Sequence, residues 1–377
     1  MNQPLSVTVL ADATGSDPSA LLNRVLQSSN DLHVTAIVPK HLRKQIEDQP
    51  RVVVVSTQNR LARPGQVCAC CTVRSDLMHK IRQIVAKKRT EHIVIQAAPD
   101  ADLEILAKTF TVTNKKGATL SEVAHLESIV LVVNARNLLS TLKTKVGRHM
   151  VERVELANVI VLKSVNILAS EAYSHVARVL TAINPEIQII RGDQDDKLTL
   201  SSLRTERPYD LQSTQLRAQE LDTVDRTDPA NAIVQFTYYD RRPFHPERLR
   251  DLMSEPWTGV LRARGTFWVA SRPDYACTLN IAGGSRRTSS EEKWWSATPQ
   301  EERSSDPEFL EYIEGIWDEN FRDRYQKLTI VGVNIDEHDL RRHLDQCLLN
   351  DEELADPDTW HALPHPFPWP RSGKRKL

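Results

Sequence analysis

The chain has 377 residues, a formal net charge of −1 and five cysteines. This length allows two domains with sizeable cores, and the near-neutral charge gives no electrostatic basis for binding nucleic acid or an anionic membrane. No apolar stretch approaches the roughly 18 residues that a transmembrane helix needs, and the first residues lack the features of a signal sequence. We therefore predict no membrane and no nucleic-acid partner. An odd number of unevenly spaced cysteines favours reduced thiols and a cytoplasmic location.

The first half of the chain alternates short apolar segments with amphipathic ones. The apolar segments are rich in Val and Ile and are typical of strands buried on both faces. We predict strands at residues 7–10, 34–38, 52–55, 92–97, 129–133, 159–162 and 188–190. Helices are predicted between them, at residues 20–26, 76–88, 101–110 and 171–183. This alternation predicts an α/β fold, with a mostly parallel sheet that has helices on both faces.

The first strand leads into a loop and a helix, which is where a phosphate-binding P-loop would lie. A P-loop reads G-x-x-x-x-G-K-S/T, because glycines let backbone N–H groups approach phosphate and the lysine neutralises its charge. Here the eight residues run from Asp12 to Ser19, with aspartates in place of both glycines and Pro18 in place of the lysine. Gly15 and Ser19 are the remnants of a cofactor-binding loop, Ser19 at the magnesium position. Because carboxylates repel phosphate and proline lacks an N–H, we expect no conventional nucleotide binding.

The most distinctive motif is Cys68-Ala69-Cys70-Cys71, which holds three of the five cysteines. Thiolates this close together can bind one ion such as zinc, copper(I) or iron. The cysteines precede a predicted helix, and a helix N-terminus lowers the pKa of a thiol and favours the metal-binding thiolate. The apolar face of that helix consists of Leu77, Ile81, Ile84 and Val85. The alternative is a buried cysteine cluster or a transient disulfide. Because adjacent cysteines rarely bridge comfortably, we predict metal binding by Cys68, Cys70 and Cys71.

Three thiolates leave one position of a tetrahedral site open, and an open position suits exchange of the metal with another molecule. His79 is a candidate fourth ligand, although we predict that it faces solvent on the helix. His361 and His365 are further candidates, but we predict that they belong to a terminal segment that packs on the second domain. The sequence therefore leaves the fourth ligand open.

The apolar pattern weakens between residues 191 and 231, where turn-forming polar residues predominate. We predict a linker at residues 192–230, between a first domain at 1–191 and a second domain at 231–377. The second domain contains all seven tryptophans. Its predicted elements are strands at 232–236, 265–270 and 328–333 and helices at 246–253 and 337–348. Cys277 and Cys347 lie in apolar surroundings within it and are predicted to be core residues.

Several motifs in both halves form a recognisable set. In the first half they are segments 7–10 and 21–24 and the sequence C-x-C-C-T-x-R-x-D-L from Cys68. In the second half they are segments 242–249, 259–265, 267–268, 272–274, 294–295, 347–349 and 366–369. Together these motifs resemble those of the CobW-like family of P-loop GTPase metallochaperones. The match spans nearly the whole chain. The resemblance implies a P-loop-type domain, followed by a smaller α+β domain like the CobW C-terminal domain.

Two further nucleotide-binding motifs of that family are altered here. The family has Glu-Ser/Thr-Thr/Ser-Gly to sense the γ-phosphate and magnesium, whereas residues 96–99 of this chain are Gln-Ala-Ala-Pro. The family recognises guanine with N-K-x-D, whereas residues 163–166 are Lys-Ser-Val-Asn, and an asparagine amide cannot replace both acceptors of the aspartate. Because the cysteine motif is intact, we predict a pseudo-GTPase that keeps metal handling without GTP turnover.

Three functions are compatible with this combination. The first is a metallochaperone that docks on one client metalloenzyme and inserts a divalent metal, with iron, cobalt and zinc as candidates. Because the family includes activators of nitrile hydratase, we predict insertion of iron or cobalt into that enzyme, with its subunits as partners. The second function is a general zinc-allocation chaperone with residual GTPase activity. The third is a non-catalytic scaffold or folding helper.

Overall fold

The computed structural model describes residues 4–13, 18–29, 31–57, 69–99, 101–111, 119–142, 147–165, 170–192, 198–205, 208–214, 226–228, 233–283 and 285–367. The chain divides into two compact units. The first consists of Met1–Thr141 with His149–Ala218, and the second of Leu142–Arg148 with Gln219–Leu377. Each unit is built around one β-sheet.

The sheet of the first unit has seven strands, all parallel. They are β1 (Leu5–Asp12), β2 (Val34–Pro39), β3 (Val52–Thr57), β4 (His92–Gln96), β5 (Ala124–Asn134), β6 (Val159–Lys163) and β7 (Gln188–Arg191). The spatial order is β3-β2-β4-β1-β5-β6-β7, and every neighbouring pair is parallel. The predicted strands and the predicted mostly parallel sheet are confirmed.

Six helices lie between these strands in the described part of the chain. They are α1 (Ser19–Gln27), α2 (Ala69–Ala86), α3 (Leu103–Thr111), α4 (Leu138–Leu142), α5 (Gly147–Leu156) and α6 (Ser170–Ile183). The helices α4 and α5 each extend by one or two residues into the segment Leu142–Arg148. The four predicted helices are confirmed, but α4 and α5 were not predicted. In α5 the buried residues Met150, Val151 and Val154 share the interior with Arg153. A charged residue inside an apolar face weakens the helical pattern in the sequence.

The core on one face of this sheet is formed by α1 and β-branched strand residues. Leu22 and Val25 of α1 pack in one cluster with Val94 and Val130 of the sheet. Leu198, Leu200 and Leu203 belong to the same cluster, although the sequence predicts a linker there. This part of the chain therefore packs on the first unit, and the boundaries of the linker stay a prediction.

The second unit has a six-stranded antiparallel sheet and short helices. The strands are β8 (Arg226–Asp228), β9 (Ile233–Asp240), β10 (Val260–Phe267), β11 (Tyr275–Ala282), β12 (Ser285–Lys293) and β13 (Gln326–Val333), in the order β12-β11-β10-β13-β9-β8. The helices are α7 (Pro246–Ser254), α8 (Pro307–Ile316), α9 (Glu337–Cys347) and α10 (Asp351–Ala355). The predicted smaller α+β unit is confirmed. Across the ranges that the structure describes, no helix has the length and apolar character to cross a membrane.

One predicted strand, at residues 265–270, ends too late. The strand β10 stops at Phe267, and the backbone of Trp268 bonds outside the sheet ladder, with its N–H donating to Gln326 Oε1 at 2.9 Å. The Trp268 carbonyl accepts from the N–H of Phe244 at 3.1 Å. The apolar pattern continues past Phe267 because these residues are buried, and burial alone does not require a strand.

Candidate functional site

The carboxyl ends of the parallel strands form one edge of the first sheet, and ligands of open α/β folds bind at this edge. β1 ends there at Asp12 and β4 at Gln96. A helix that connects two parallel strands begins at this edge and returns to the opposite one. The starts of α1, after β1, and of α2, after β3, therefore lie at this carboxyl edge.

The start of α1 is closed by hydrogen bonds between side chains. Ser19, its first residue, is 3% exposed. Its Oγ donates to Oε1 of Gln45 at 2.8 Å and accepts from Nε2 of Gln96 at 2.8 Å. Gln96 is fully buried, and its Oε1 has no hydrogen-bond partner within the described part of the chain. The Ser19 hydroxyl thus bonds to two neutral amides.

The residue before α1 contributes no N–H group to this helix end. Pro18 is the N-cap, has helical φ and ψ and makes no side-chain capping bond. Its carbonyl accepts from the N–H of Leu22 at 2.9 Å. Gly15, the other predicted remnant of the P-loop, lies outside the described residues, and its role stays a prediction.

Arg153 of α5 connects the ends of β1 and β4. Its side chain is buried, and the whole residue is 9% exposed. The guanidinium donates to the backbone carbonyl of Asp12, to that of Pro99 at 2.7 Å and to that of Ala101 at 2.8 Å. Sequence reasoning missed this residue. Its one signal was an arginine among the apolar residues of a helix, a position that requires a buried partner.

The cysteine motif lies at the start of α2. The helix begins at Ala69, so Cys70 and Cys71 are in its first turn, as predicted, whereas Cys68 lies outside the described residues. Leu77, Ile81 and Ile84 are buried on the predicted face. Lys80 Nζ donates to the carbonyl of Ser56 at 2.6 Å and fixes α2 beside the end of β3. The N-terminal dipole of such a helix stabilises a thiolate.

The histidines considered as fourth ligands are exposed. His79 faces solvent, as predicted, and its Nε2 accepts from Nε2 of Gln83 at 2.8 Å. His361 and His365 are also exposed, and partial burial together with the positive charge of Arg272 lowers the pKa of His365. Among the residues whose placement is described, no group of three or more His, Cys, Asp or Glu residues could hold a metal ion.

The two cysteines outside the motif are core residues, as predicted. Cys277 is 1% exposed and Cys347 4% exposed, and both are free thiols in the core of the second unit. Burial raises the pKa of both thiols, that of Cys347 to about 11. They are therefore neutral near pH 7 and differ from the reactive thiolates that bind metals.

The altered counterpart of the guanine-recognition motif, residues 163–166, begins at the end of β6. Lys163 is the last residue of this strand, and Ser164 has a φ of 60°, in the left-handed region. Val165 is buried. Asn166 lies outside the described residues, so the geometry of this motif is not tested.

Comparison with known proteins identifies the family. The CobW/HypB/UreG nucleotide-binding domain matches residues 6–191, and the cobalamin synthesis protein cobW C-terminal domain matches residues 233–348. A zinc-regulated GTPase metalloprotein activator of Dictyostelium discoideum is 25% identical, over 97% of this chain and 84% of that protein. A zinc chaperone of Mycobacterium tuberculosis is 27% identical, over 97% and 93%.

Among solved structures, a Zn(II)-bound YjiA GTPase from E. coli is 14% identical with a TM-score of 0.39, over 93% of this chain and 100% of that chain. The two family models together match most of this chain, one in each half. The chain belongs to the CobW/HypB/UreG family of P-loop GTPases and carries the CobW C-terminal domain.

Proposed function

We propose that this chain is a metallochaperone that binds a divalent metal through Cys68, Cys70 and Cys71 and delivers it to a client metalloenzyme. The observation that carries the proposal is the position of Cys70 and Cys71 in the first turn of α2, at the carboxyl edge of the sheet. A helix N-terminus favours the thiolate, which is the form that binds metal. The relatives named as a metalloprotein activator and a zinc chaperone support the same role.

The start of α1 supports a delivery that is independent of GTP. Ser19 is 3% exposed, and its hydroxyl is already held by hydrogen bonds to the neutral amides of Gln45 and Gln96. Gln96 provides no carboxylate, and Pro18 provides neither an N–H nor a cation. These residues do not fit a magnesium–triphosphate group, and we assign no step of the function to one.

Without a nucleotide switch, release of the metal depends on contact with the client. A three-thiolate site has an open coordination position that a client thiolate can enter. Each client thiol that binds the metal loses its proton, and each cysteine of the chaperone that leaves the metal can take one up. The metal then passes through a shared intermediate without becoming a free ion.

Two delivery functions remain candidates, and they differ in the metal. Iron or cobalt insertion into nitrile hydratase is the prediction from the sequence, and it rests on the family resemblance. Zinc allocation is favoured by the names of both relatives. Three thiolates can hold any of these ions, so the cargo has to be determined by measurement.

The binding step is tested by metal content after loading with zinc, cobalt or iron(II) without oxygen. We expect about one ion per chain, at an affinity that falls with pH because the thiols must lose protons. The triple variant Cys68→Ser/Cys70→Ser/Cys71→Ser should lose this ion and keep its circular dichroism spectrum. Cys277→Ala, which removes a core thiol, is the matched control and should keep the ion. An unchanged metal content in the triple variant would refute the proposal.

The delivery step is tested with metal-loaded chain and metal-free nitrile hydratase subunits. Activity should appear with the cobalt-loaded or iron-loaded chain, should not need GTP, and should be lost with Cys70→Ser. If the chain retains zinc in preference to iron and cobalt and leaves nitrile hydratase inactive, zinc allocation is the function. Equal activation by wild type and Cys70→Ser would indicate a folding helper instead.

A further inference from the structure

An exposed aromatic surface lies on α8 of the second unit. The helix is capped by Asp306, whose side chain accepts from the N–H of Glu308 at 3.2 Å. Ile313 is buried, but Phe309 is 37% exposed and Tyr312 is 51% exposed. Trp317, directly after the helix, is 45% exposed. We call Phe309, Tyr312, Gly315 and Trp317 the α8 surface. Large aromatic side chains concentrated in this way are typical of interaction sites.

The aromatic side chains of the α8 surface are held in place by neighbours. The hydroxyl groups of Tyr312 and Tyr325 share a hydrogen bond of 3.2 Å. The rings of Trp317 and Trp295 meet edge to face at a centroid distance of 6.2 Å. Side chains fixed in this way lose little entropy on binding, and Trp and Tyr are favoured anchors of interfaces.

Gly315 in the same helix indicates space for a partner. A Cβ atom added to it would meet no atom within 4 Å, so packing inside the unit does not require glycine here. Gly315 lies in the last turn of α8, and glycine is a poorer helix former than alanine. Gly315 is three residues after Tyr312, which places the two side by side on the helix. A partner that approaches the backbone closely would account for the glycine.

The surroundings of the α8 surface are strongly acidic. Residues 301–319 contain eight acidic side chains and one basic side chain, a net charge of −7. The basic residue, Arg303, donates to the carbonyls of Thr298 at 2.9 Å and Ser296 at 3.1 Å, and it lies 4.5 Å from the centre of the Trp295 ring. This charge repels nucleic acid, anionic membranes and a second copy of the same surface. The complementary occupant is a cationic protein segment.

We propose that the α8 surface docks a partner protein through a basic amphipathic helix. The apolar side chains of that helix would pack on Phe309 and Tyr312 and pass close to Gly315. Its Lys or Arg residues would pair with Glu308 and Glu311 at the rim, where complementary charge sets specificity and the rate of association. This docking does not depend on metal binding by the cysteine motif.

The probe for this surface is a fluorescein-labelled Leu/Lys amphipathic peptide of about five helical turns, titrated into the full-length chain and followed by anisotropy. We expect saturable binding that added salt weakens. One control peptide has Glu in place of Lys, and a second has Ser in place of Leu. Both should bind at least about tenfold more weakly, because they lack the charge or the apolar face.

Variants of the full-length chain assign the binding to α8. One variant reverses the acidic charge of α8 and is Glu308→Lys/Glu311→Lys/Glu314→Lys. A second variant removes the aromatic rings and is Phe309→Ala/Tyr312→Ala. Each should lower the affinity for the peptide at least about tenfold. The matched control, Asp31→Lys/Glu171→Lys/Glu352→Lys, reverses the same number of charges at exposed positions outside α8. It should bind the peptide as wild type does. Gly315→Gln should raise the melting temperature, since glutamine is the better helix former, and should weaken binding.

Three results would overturn the proposal. Unchanged affinity in both α8 variants would mean that the peptide binds elsewhere. Equal binding of the Ser-for-Leu peptide would reduce the effect to diffuse charge attraction. The third result concerns the basic residues 374–376 of the chain itself. If the peptide binds the variant Lys374→Glu/Arg375→Glu/Lys376→Glu but does not bind wild type, the chain's own basic residues occupy the α8 surface. The surface would then not be a docking site for a partner protein.

Discussion

The two edges of the parallel sheet in the first unit contain different kinds of polar side chains. At the amino edge, Glu127 accepts hydrogen bonds from His125 at 3.2 Å and from Arg204 at 3.2 Å. His92, the first residue of β4, bonds through Nε2 to Oγ1 of Thr8 at 3.0 Å. Glu127 thus pairs with two ionisable side chains, and Arg204 connects the start of β5 to the segment after β7.

At the carboxyl edge, the hydrogen bonds described for Ser19 and Arg153 run to neutral groups. Ser19 bonds to two glutamine amides, and the charge of Arg153 is shared among three backbone carbonyls. The side chain of Ser19 at the start of α1 is therefore held by other side chains of the described part of the chain, at the place where this fold usually binds a nucleotide. The cysteine motif at the start of α2 is the part of this edge to which we assign ligand chemistry. The comparison separates polar groups that stabilise the fold from those that serve function.

The largest effect is expected at Arg153. Arg153→Leu introduces a shorter, apolar side chain and leaves the carbonyls of Asp12, Pro99 and Ala101 without this donor. Each buried unpaired carbonyl costs about 1–3 kcal/mol, and relaxation should reduce the sum to about 3–5 kcal/mol of unfolding free energy, measured by urea titration. Arg178→Leu, at an exposed position of α6, should cost less than about 0.5 kcal/mol. A loss below about 1 kcal/mol for Arg153→Leu would show that water replaces the guanidinium.

The second-largest effect is the pH dependence of stability that we expect from His92 at the amino edge. Burial, with a smaller contribution from the positive charge of Arg204, lowers the pKa of His92 from 6.5 to about 4. The folded chain therefore keeps His92 neutral, whereas the unfolded chain takes up a proton below about pH 6.5. Stability should fall by about 2 kcal/mol from this residue between pH 7 and pH 5. His92→Gln can keep a bond to Thr8 and should flatten the pH profile by that amount in urea titrations. Parallel profiles for wild type and variant would contradict the burial of His92.

A smaller effect is expected at Glu127. Burial alone would raise the pKa of this carboxyl group, but hydrogen bonds from Arg204, Ser6 and His125 lower it overall. Glu127→Gln should therefore cost about 1–2 kcal/mol at pH 7. The penalty should shrink as the pH falls through the folded pKa, because the wild-type carboxylate then becomes protonated. Glu104→Gln removes an exposed pair with Lys108 and should cost less than about 0.5 kcal/mol. Equal penalties for both variants would remove the distinction between buried and exposed pairs.

Much of the first unit could be predicted from the sequence because its central strands, such as β2 and β4, are buried along their whole length. Such strands are rich in β-branched residues, and the same pattern continues in the edge strand β3 even though Val53 is exposed. In the second unit the signal is weaker. β12 lies at the edge of its sheet and has the polar sequence SRRTSSEEK, and α8 has a single buried residue. Neither element was predicted, because both lack a sustained apolar face.

The candidate site also has features that could be predicted from the sequence and features that could not. The placement of Cys70 and Cys71 at a helix start could be predicted because the motif and the helix are contiguous in the sequence. The partners of Ser19 could not, since Gln45 is 26 residues away and Gln96 is 77 residues away. Arg153 lies 141 residues after Asp12. Contacts over such distances depend on strand order, which local sequence patterns do not encode.

The smallest effect, at Ser19, distinguishes the two interpretations of the carboxyl edge. Ser19→Ala removes the hydroxyl between Gln45 and Gln96 and should cost about 1 kcal/mol of unfolding free energy, as expected for buried neutral hydrogen bonds. If the start of α1 is structural, magnesium with GTP should leave the melting temperature of wild type and Ser19→Ala unchanged. Zinc should raise the melting temperature of both, because a ligand that binds the folded state stabilises it. A rise with magnesium and GTP in wild type that Ser19→Ala abolishes would show that Ser19 binds the magnesium ion. The chain would then have to be treated as a GTP-switched chaperone.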